Sequence, residues 1–529
     1  MNPKFSSIQP SFLSLLVVLG LGLAIRIIAL SNIEIINPDG ILYIFQAKAI
    51  STHQWHLTTS CQLGFLSLYP MLVSLFQIFV GKWILSAQLV SLCFGFGMLV
   101  VLYLLLRCFF TSTISQLTLL LYCFIPVFVR YSVDAMRDAT FWFFFTASIY
   151  LFVLHLQATQ NPATKRSLLA LCGSSCLMLM ACCVRIEGVS LLPVSGIYLL
   201  LAKRKQKILR LSVFLLPHLI VSLMLLVWVF QHGPDILNLI RLDAIIRKTY
   251  APLDAYLSLR DQLSTMSARG GELFNDFLPK VRNLIWLIAL GTILNNVMES
   301  FFYPYVPFFC IGVLVVRKRL KTQPEMLYLL LILLFSFFLL YLHTFQYWIM
   351  TYRFICLLII PACVLAGLGI EIVVKWMNQK CRIGELKAVA LLAFMIVAVA
   401  TVKDSLPIEA DKAVYKQIAS QIYQRSQGEF PIGVAALPST VHAWVHFYAN
   451  AEYSEPLCHQ SYSTRPTTIE ELRSFMHSRG IEYFLWEESL WKERPFGDKK
   501  IVFYNDFDDL GSWHHKDTGE LIVFRLKES

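Results

Sequence analysis

The sequence predicts an α-helical polytopic membrane protein of about eleven transmembrane helices, followed by a small C-terminal α/β domain outside the cytoplasm. Of the 529 residues, 57% are hydrophobic and 15% are charged, whereas soluble proteins carry about 25% charged residues. The mean hydropathy is +0.61. The net charge of +11 is spread over short clusters between apolar runs. That pattern is typical of membrane orientation signals and excludes a nucleic-acid partner.

Eleven apolar runs account for the predicted spans, each of which needs about 20 helical residues to cross a bilayer. In chain order they are residues 11–30, 84–106, 113–130, 139–157, 167–183, 188–202, 211–230, 298–316, 326–343, 354–374 and 386–402. The first run is too long for the apolar part of a signal peptide and lacks a small-residue cleavage site, so we expect it to stay as a helix. Residues 69–80 and 281–295 are shorter, and we expect them to lie at the outer interface.

The basic clusters between these runs predict the orientation. They are Lys4, Arg107, Lys165 with Arg166, and residues 203–207, 317–321 and 375–387. All of them fall on one side if the eleven runs cross, and the positive-inside rule makes that side the cytoplasm. We therefore expect an integral cytoplasmic (inner) membrane protein with a cytoplasmic N-terminus. Residues 1–402 form its membrane module, with outer loops 31–82 and 231–297, and residues 403–529 form a periplasmic (extracytoplasmic) domain.

The C-terminal segment alternates helical and strand-like patterns. Residues 411–425 and 468–479 have helical periodicity, and residues 432–435, 483–486, 501–504 and 521–525 resemble strands. This alternation predicts a small α/β unit, and it contains no glycine-rich nucleotide motif. Most of the 13 cysteines lie in apolar runs without metal-ligand spacing. Cys61 and Cys458 both fall in outward segments, where a disulfide between them is one open alternative.

Asp39 is the first candidate for a catalytic group. It follows the first apolar run directly, between Pro38 and Gly40, at the level of the lipid headgroups. One interpretation makes Asp39 the N-cap of the next helix. The other makes it a general base that takes a proton from an acceptor hydroxyl. The two interpretations are compatible, and the residues leave both open.

Further charged residues lie at predicted outer helix ends. Asp134 and Asp138 are four residues apart, on one helical face, with Arg137 between them. Arg185 and Glu187 interrupt two apolar runs. Each group is consistent with a structural ion pair or with a polar site, and the guanidinium fork of Arg185 is suited to a phosphate.

Tyr352 and Arg353 stand where the tenth apolar run begins, at the outer phosphate level, and Arg353 is also suited to a lipid phosphate. His343 belongs to an interfacial aromatic segment, so an interfacial histidine is favoured over a base. Arg26, near the outer end of the first span, either extends its head group to the interface or joins the same site.

Together these residues resemble the GT-C type of glycosyltransferases, which use sugars carried on polyprenyl phosphate. The resemblance is closest to the group that holds the protein O-mannosyltransferases and the lipid A aminoarabinose transferase. The family motif Asp-Glu-x-x-Tyr-x-x-x-Ala is matched by Asp39, Tyr43 and Ala47, with Gly40 in place of the second acid. The other matching elements, in family order, are Tyr69-Pro70, Asp134 or Asp138, Arg185 to Gly188, and Tyr352-Arg353.

The resemblance implies a mannosyltransferase-like enzyme that moves a sugar from polyprenyl phosphate to a protein, lipid or glycan hydroxyl on the outer membrane face. In this hypothesis Asp39 is the base, and the anomeric centre inverts in a single displacement. The substrate-binding residues are Tyr43, Asp134, Asp138, Arg185, Tyr352 and Arg353. The hypothesis requires Asp39 and Arg353 to flank one sugar phosphate.

Three questions stay open at this point. No metal is required, although Asp39 with Asp134 or Asp138 has the oxygen ligands that suit a divalent cation. A lipid or glycan transporter or flippase is the alternative function, and it predicts charged mid-span helices in two similar halves. A receptor or assembly protein is a third class, in which the spans serve only as an anchor.

Overall fold

The computed structural model describes most of the chain and shows a helical membrane part that precedes a small sheet. The described residues are 12–61, 63–158, 164–201, 206–233, 242–269, 272–427, 429–436, 439–458, 468–491 and 506–527.

Eight helices within these residues are long and apolar enough to cross a membrane. They are Phe12–Ser31, Trp83–Arg107, Asp138–Ala158, Lys165–Val184, Lys207–Gln231, Phe274–Ser300, Met326–Tyr347 and Glu385–Asp404. The pair Tyr352–Ile359 and Cys363–Gln379 bends by 66° and adds a ninth if it crosses as one broken span. The chain is therefore an integral membrane protein, but the predicted number of eleven spans is not confirmed.

The differences from the predicted spans have local causes. Residues 113–130 divide into the helices Ser112–Cys123 and Pro126–Tyr131, because Pro126 starts a new helix. Residues 188–202 begin in the 3₁₀ helix Ile186–Ser190, which leaves only Leu191–Leu201 as α-helix. Residues 281–295, predicted to be interfacial, lie inside Glu272–Ser300, because polar residues on both sides continue the same helix.

The predicted eighth span is also divided. Residues 298–316 fall partly in the end of Glu272–Ser300 and partly in Val306–Leu320, with a break at Phe302 and the 3₁₀ helix Tyr303–Tyr305. The remaining helices of the membrane part are Pro38–Ser51, Leu68–Val80 and Leu242–Arg269.

The helix Leu68–Val80 agrees with the short helix predicted over residues 69–80. The side chain of Ser67 accepts a hydrogen bond from the backbone N–H of Tyr69 and caps its start. Gly81, with a φ of 75°, ends it in the left-handed region that glycine adopts readily. A helix of 13 residues measures about 20 Å, which is too short for a hydrocarbon core of about 30 Å.

The C-terminal part contains a four-stranded sheet with helices around it. The strands are β1 (Val434–Ala436), β2 (Tyr483–Glu487), β3 (Phe507–His515) and β4 (Gly519–Leu526), in the spatial order β1-β2-β4-β3. β1 and β2 are parallel, and the other two pairs are antiparallel. The helices are Ala413–Arg425, Ser439–Ala449, Ile469–Arg479 and Glu488–Trp491. Three predicted strands are present, residues 501–504 lie outside the described residues, and β3 and Ser439–Ala449 were not predicted.

This domain packs on the loop that follows the first span. The indole N–H of Trp444 donates to the carbonyl of Ile36 at 2.9 Å, and the hydroxyl of Tyr448 accepts from the N–H of Ile36 at 2.9 Å. Cys61 and Cys458 form a disulfide, so the pairing left open by the sequence is confirmed. The loop after the first span and the C-terminal domain therefore lie on the same side of the helical part.

Loss of this disulfide is expected to lower the thermal stability of the protein. A native disulfide contributes about 2–4 kcal/mol by restricting the unfolded chain, and this one joins residues 397 positions apart. We expect Cys61→Ser and Cys458→Ser to reduce the melting temperature in detergent equally, and the double variant to reduce it no further. Cys381→Ser is the control, because Cys381 is exposed and free. A double variant much less stable than either single variant would contradict the prediction.

Candidate functional site

Asp39 lies in the first turn of the helix Pro38–Ser51, but it does not cap that helix. Asn37 is the N-cap, and its side chain accepts a hydrogen bond from the backbone N–H of Asp39 at 3.0 Å. The interpretation of Asp39 as the cap is therefore wrong. Its carboxylate instead accepts a hydrogen bond from Nη1 of Arg353 at 2.7 Å. The structure thus brings together the two residues that the sequence placed in one pocket.

Gly40 explains why this helix start tolerates no second acid. A Cβ atom at position 40 would lie 2.7 Å from the carbonyl oxygen of Ala135 and 2.9 Å from its Cβ. Both distances are shorter than a normal contact, so a larger side chain displaces either the helix or the loop that contains Ala135. The glycine lets the two segments pack closely, which brings Asp39 near the residues that follow Ala135.

Five charged side chains form one continuous series of alternating sign. Arg353 contacts Asp39 and also lies 4.0 Å from Oδ2 of Asp138. The other carboxylate oxygen of Asp138 pairs with Arg185, whose Nε lies 3.4 Å from Glu187. The side chain of Asp138 is 1% exposed and that of Asp39 is 40% exposed. Asp138 therefore holds the two arginines in place, and Asp39 is the more accessible of the two aspartates.

Asp134 is close to this series but has a different contact. Its Oδ1 accepts hydrogen bonds from the backbone N–H of Asn37 at 3.2 Å and of Ala135 at 2.8 Å. The residue is 3% exposed. Asp134 thus fixes the segment that carries Asp39. Burial raises the pKa of Asp134 to about 6, although the two backbone donors act in the opposite direction.

This pKa predicts a pH dependence of stability. The native carboxyl binds its proton more tightly than the unfolded one, whose ordinary pKa is about 3.9. The contribution of Asp134 to stability is complete below that value and is lost as the pH rises through about 6. Asp134→Asn keeps an acceptor oxygen but cannot become charged. Between pH 4 and pH 7 we therefore expect this variant to lose up to about 3 kcal/mol less stability than the wild type loses.

Melting curves of the two proteins across that range test this prediction. Asp508→Asn, at a site that is 62% exposed in its side chain, is the control and should follow the wild type. Parallel pH profiles for wild type and Asp134→Asn would contradict it.

The two tyrosines predicted to bind substrate have different surroundings. The ring of Tyr43 is 3% exposed and packs edge-on against Tyr69 at 5.5 Å. The guanidinium of Arg137 lies 5.5 Å from the Tyr43 ring and donates to the carbonyl of Val184 at 3.0 Å. The hydroxyl of Tyr352 donates to Glu299 at 2.7 Å. Tyr43 is therefore buried between Tyr69 and Arg137, whereas Tyr352 is exposed.

Arg26 and His343 lie away from the Asp39 carboxylate. Arg26 is fully buried and donates to the carbonyls of Gly22 at 2.8 Å and Cys123 at 3.1 Å, so it joins two helices. The expectation that it extends to the interface or joins the site is wrong, because these carbonyls bind it inside the helical part. His343 packs against Tyr347 and Phe354, with ring centroids 4.8 Å and 5.3 Å away.

The two sequence neighbours of Arg353 line two different cavities, Phe354 the first and Tyr352 the second. A cleft of about 420 Å³ is mainly apolar and is lined by residues that include Glu187, His343 and Phe354. A second cavity of about 310 Å³ is lined by Tyr352 and by several charged residues. Those charged residues are Arg130, Glu299, Lys403, Asp404 and Glu409.

Glu299 and the Arg130–Glu409 ion pair were not predicted from the sequence. The only sequence signal for them was their position next to apolar runs, which many surface residues share.

The carboxylates proposed as cation ligands are paired with other groups. Asp39 and Asp138 contact arginines, and Asp134 accepts backbone hydrogen bonds. In the part of the chain that the structure describes, the three residues placed to hold a metal ion are Asp411, His515 and Asp517.

Comparison of the sequence with protein-family models and with curated proteins gives no match. Solved structures do match. The oligosaccharyltransferase AglB from Archaeoglobus fulgidus, in complex with an inhibitory peptide and a dolichol-phosphate, has a TM-score of 0.57 at 13% identity and covers 96% of this chain and 74% of its own. A complex of the Archaeoglobus fulgidus oligosaccharyltransferase with Zn and sulfate has a TM-score of 0.54 at 13% identity, over 90% of this chain and 68% of its own.

ArnT from Cupriavidus metallidurans, bound to undecaprenyl phosphate, has a TM-score of 0.56 at 12% identity. The match covers 97% of this chain and 98% of ArnT. These likenesses confirm that the chain has the GT-C fold that its sequence motifs predict.

Proposed function

We propose that this protein is a membrane glycosyltransferase that moves a sugar from polyprenyl phosphate to an acceptor hydroxyl on the outer face of the cytoplasmic membrane. The observation that carries the proposal is the contact of 2.7 Å between Arg353 and the accessible carboxylate of Asp39, beside an apolar cleft. A cation for the phosphate, a base for the acceptor and an apolar surface for the lipid are the three groups that this transfer needs.

The donor lipid is proposed to lie in the cleft of about 420 Å³. Its wall includes Phe335, Phe338 and Leu339, which suit a hydrocarbon chain. Phe354, at the cleft, lies under the guanidiniums of Arg185 and Arg353, at 4.8 Å and 5.5 Å from its ring centroid. A phosphate at the end of the lipid therefore meets two arginines, and each guanidinium fork suits a phosphate.

The orientation of the helices supports an outer-face reaction. Asp138 begins the helix Asp138–Ala158, and Arg185 follows the end of Lys165–Val184. Both residues therefore lie at the opposite helix ends from Lys165 and Arg166. Because basic loops mark the cytoplasmic side, the site is proposed to lie on the other side, together with the C-terminal domain.

The proposed reaction is a single displacement. The donor phosphate takes hydrogen bonds from Arg353, which releases Asp39 from its ion pair. Asp39 then accepts the proton of the acceptor hydroxyl as that oxygen bonds to the anomeric carbon, and the bond between this carbon and the phosphate oxygen breaks. Arg353 stabilises the charge that grows on the departing polyprenyl phosphate. Attack from the face opposite the leaving group inverts the anomeric centre.

Several finer assignments belong to the same proposal. Arg185 holds the phosphate with Arg353, and Asp138 positions both arginines. Tyr352 and Tyr43 line the sugar and acceptor side, and Asp134 positions the loop before Asp39. The acceptor is a protein, lipid or glycan hydroxyl, and a divalent cation stays a prediction.

The test is release of polyprenyl phosphate by the purified full chain from a panel of polyprenyl-phosphate monosaccharides, with membrane extracts as the source of acceptor. We expect at least one donor to be consumed with formation of a glycosylated product. Translocation of the intact donor across vesicles without release of polyprenyl phosphate would overturn the proposal and favour a flippase.

A further inference from the structure

A second cluster of chemically active side chains lies where the C-terminal domain follows the last span. Asp411 belongs to the 3₁₀ helix Ala410–Lys412, which comes after the span Glu385–Asp404. His515 ends β3, and Asp517 lies in the turn before β4. A ring nitrogen of His515 and one carboxylate oxygen of each aspartate all lie within 4.8 Å of one another. Two segments distant in sequence thus supply a mixed nitrogen and oxygen ligand set.

The histidine of this cluster has a free ring nitrogen. His515 is 6% exposed, and its Nε2 is buried with no hydrogen-bond partner among the described residues. Its Nδ1 accepts a hydrogen bond from the backbone N–H of Asp517 at 3.3 Å and lies 3.1 Å from Oγ1 of Thr518. The ring packs against Tyr415 at 5.7 Å. A buried polar atom without a partner costs about 1–3 kcal/mol. An ion bound at Nε2 removes this cost. The ring proton then lies on Nδ1 and is donated to Oγ1 of Thr518, in place of the contact with the Asp517 N–H. Such an outer hydrogen bond is the usual way a metal-binding histidine is oriented.

We propose that Asp411, His515 and Asp517 bind a divalent transition-metal ion, best matched by zinc. One imidazole and two carboxylates suit zinc, with water as a fourth ligand, whereas calcium and magnesium prefer oxygen ligands throughout. Ligand atoms about 2.1 Å from a tetrahedral ion lie about 3.4 Å apart. Asp517 is exposed and Asp411 is half-buried, so small rotations of the two carboxylates close the site around an ion.

The charges near the cluster are consistent with this assignment. Nζ of Lys516 lies 3.8 Å from Oδ2 of Asp411, beyond hydrogen-bond distance, and its side chain is 68% exposed. Lys516 therefore balances part of the negative charge and can swing into solvent when an ion binds. The bound ion fastens the β3–β4 hairpin to the segment that leaves the membrane. None of its ligands belongs to the proposed active site.

Zinc binding by the full chain in detergent tests the proposal. The protein is stripped with a chelator, and zinc uptake is measured by titration calorimetry and by elemental analysis. We expect uptake of one ion, with a rise in melting temperature. Loss of a group that only orients a metal ligand weakens metal binding about 10- to 100-fold. His515→Gln and Asp517→Asn each remove a ligand itself, so we expect them to weaken zinc binding by more than this and to abolish the thermal shift.

His514→Gln is the matched control, because His514 is the exposed neighbour of His515 on the same strand. It should bind zinc like the wild type, and so should Asp39→Asn, which separates this site from the proposed active site. Equal melting temperatures of metal-free wild type and metal-free His515→Gln show that the variant folds. The proposal is overturned if the wild type takes up no zinc, or if His515→Gln and Asp517→Asn bind it as tightly as the wild type.

Discussion

Asp39→Asn is expected to reduce sugar transfer by about 10²- to 10⁴-fold, the usual contribution of a general base. The amide has the shape of the carboxylate but cannot accept the proton of the acceptor hydroxyl. The loss should appear in kcat, because Arg353 still holds the donor. The apparent affinity for the donor should stay the same or rise, since the variant leaves the Arg353 guanidinium without its carboxylate partner at 2.7 Å. Initial rates at varied donor concentration separate these two effects.

Glu409→Gln is the control for this experiment. Glu409 also lines a cavity and pairs with an arginine, Arg130, but it is absent from the charge series around Asp39. It should keep near wild-type kcat. If Asp39→Asn keeps activity within a few-fold of the wild type, Asp39 is not the base. If Glu409→Gln loses as much activity as Asp39→Asn, the loss is not specific to Asp39.

The meeting of Asp39 and Arg353 was predictable because both stand at helix ends that the basic clusters place on one side. The distribution of basic residues along the chain thus indicates which distant helix ends lie on the same side of the membrane. The role of Gly40 was not predictable, because the backbone of Ala135 that restricts it lies far along the sequence. The motif comparison identified the missing acid, and only the packing gives its cause.

Asp134 and Asp138 show another limit of sequence reasoning. The helical spacing of four residues put them on one face, but the helix begins at Asp138 and leaves Asp134 in the preceding loop. Their carboxylates therefore bind different partners, the backbone of Asn37 for one and Arg185 for the other. The start of a helix depends on tertiary contacts as well as local sequence, so spacing alone could not distinguish a positioning carboxylate from a member of the charge series.

The C-terminal domain was predicted in class but not in detail. β2 and β4 contain apolar runs, and both were predicted as strands. β3 consists mostly of polar residues such as His514, together with Gly511, so its sequence gave no clear strand signal. Its strand structure depends on pairing with β4, which a local pattern does not report. The candidate metal site was not predictable from a local pattern either, since Asp411 and His515 belong to segments far apart in the sequence.

Arg353→Ala is expected to raise the KM for the donor by about 10- to 150-fold, which corresponds to the loss of a charged hydrogen bond worth about 1.5–3 kcal/mol. The same variant should weaken inhibition by free polyprenyl phosphate to a similar degree, because the guanidinium is proposed to hold the phosphate of donor and product alike. The fold should survive, since Asp138 keeps its ion pair with Arg185. Arg353→Lys keeps the positive charge but not the planar fork, so its KM for the donor should lie between those of the wild type and Arg353→Ala.

Arg185→Ala gives the structural contrast. Removing Arg185 leaves the carboxylate of Asp138, which is 1% exposed, with only the more distant Arg353 at 4.0 Å. Removing one partner of a buried ion pair costs up to about 3–5 kcal/mol. We therefore expect Arg185→Ala to lower the melting temperature strongly, whereas Arg353→Ala should change donor affinity at nearly constant stability. If Arg353→Ala binds polyprenyl phosphate as tightly as the wild type, Arg353 does not hold the phosphate, and the charge series serves only to join the helices.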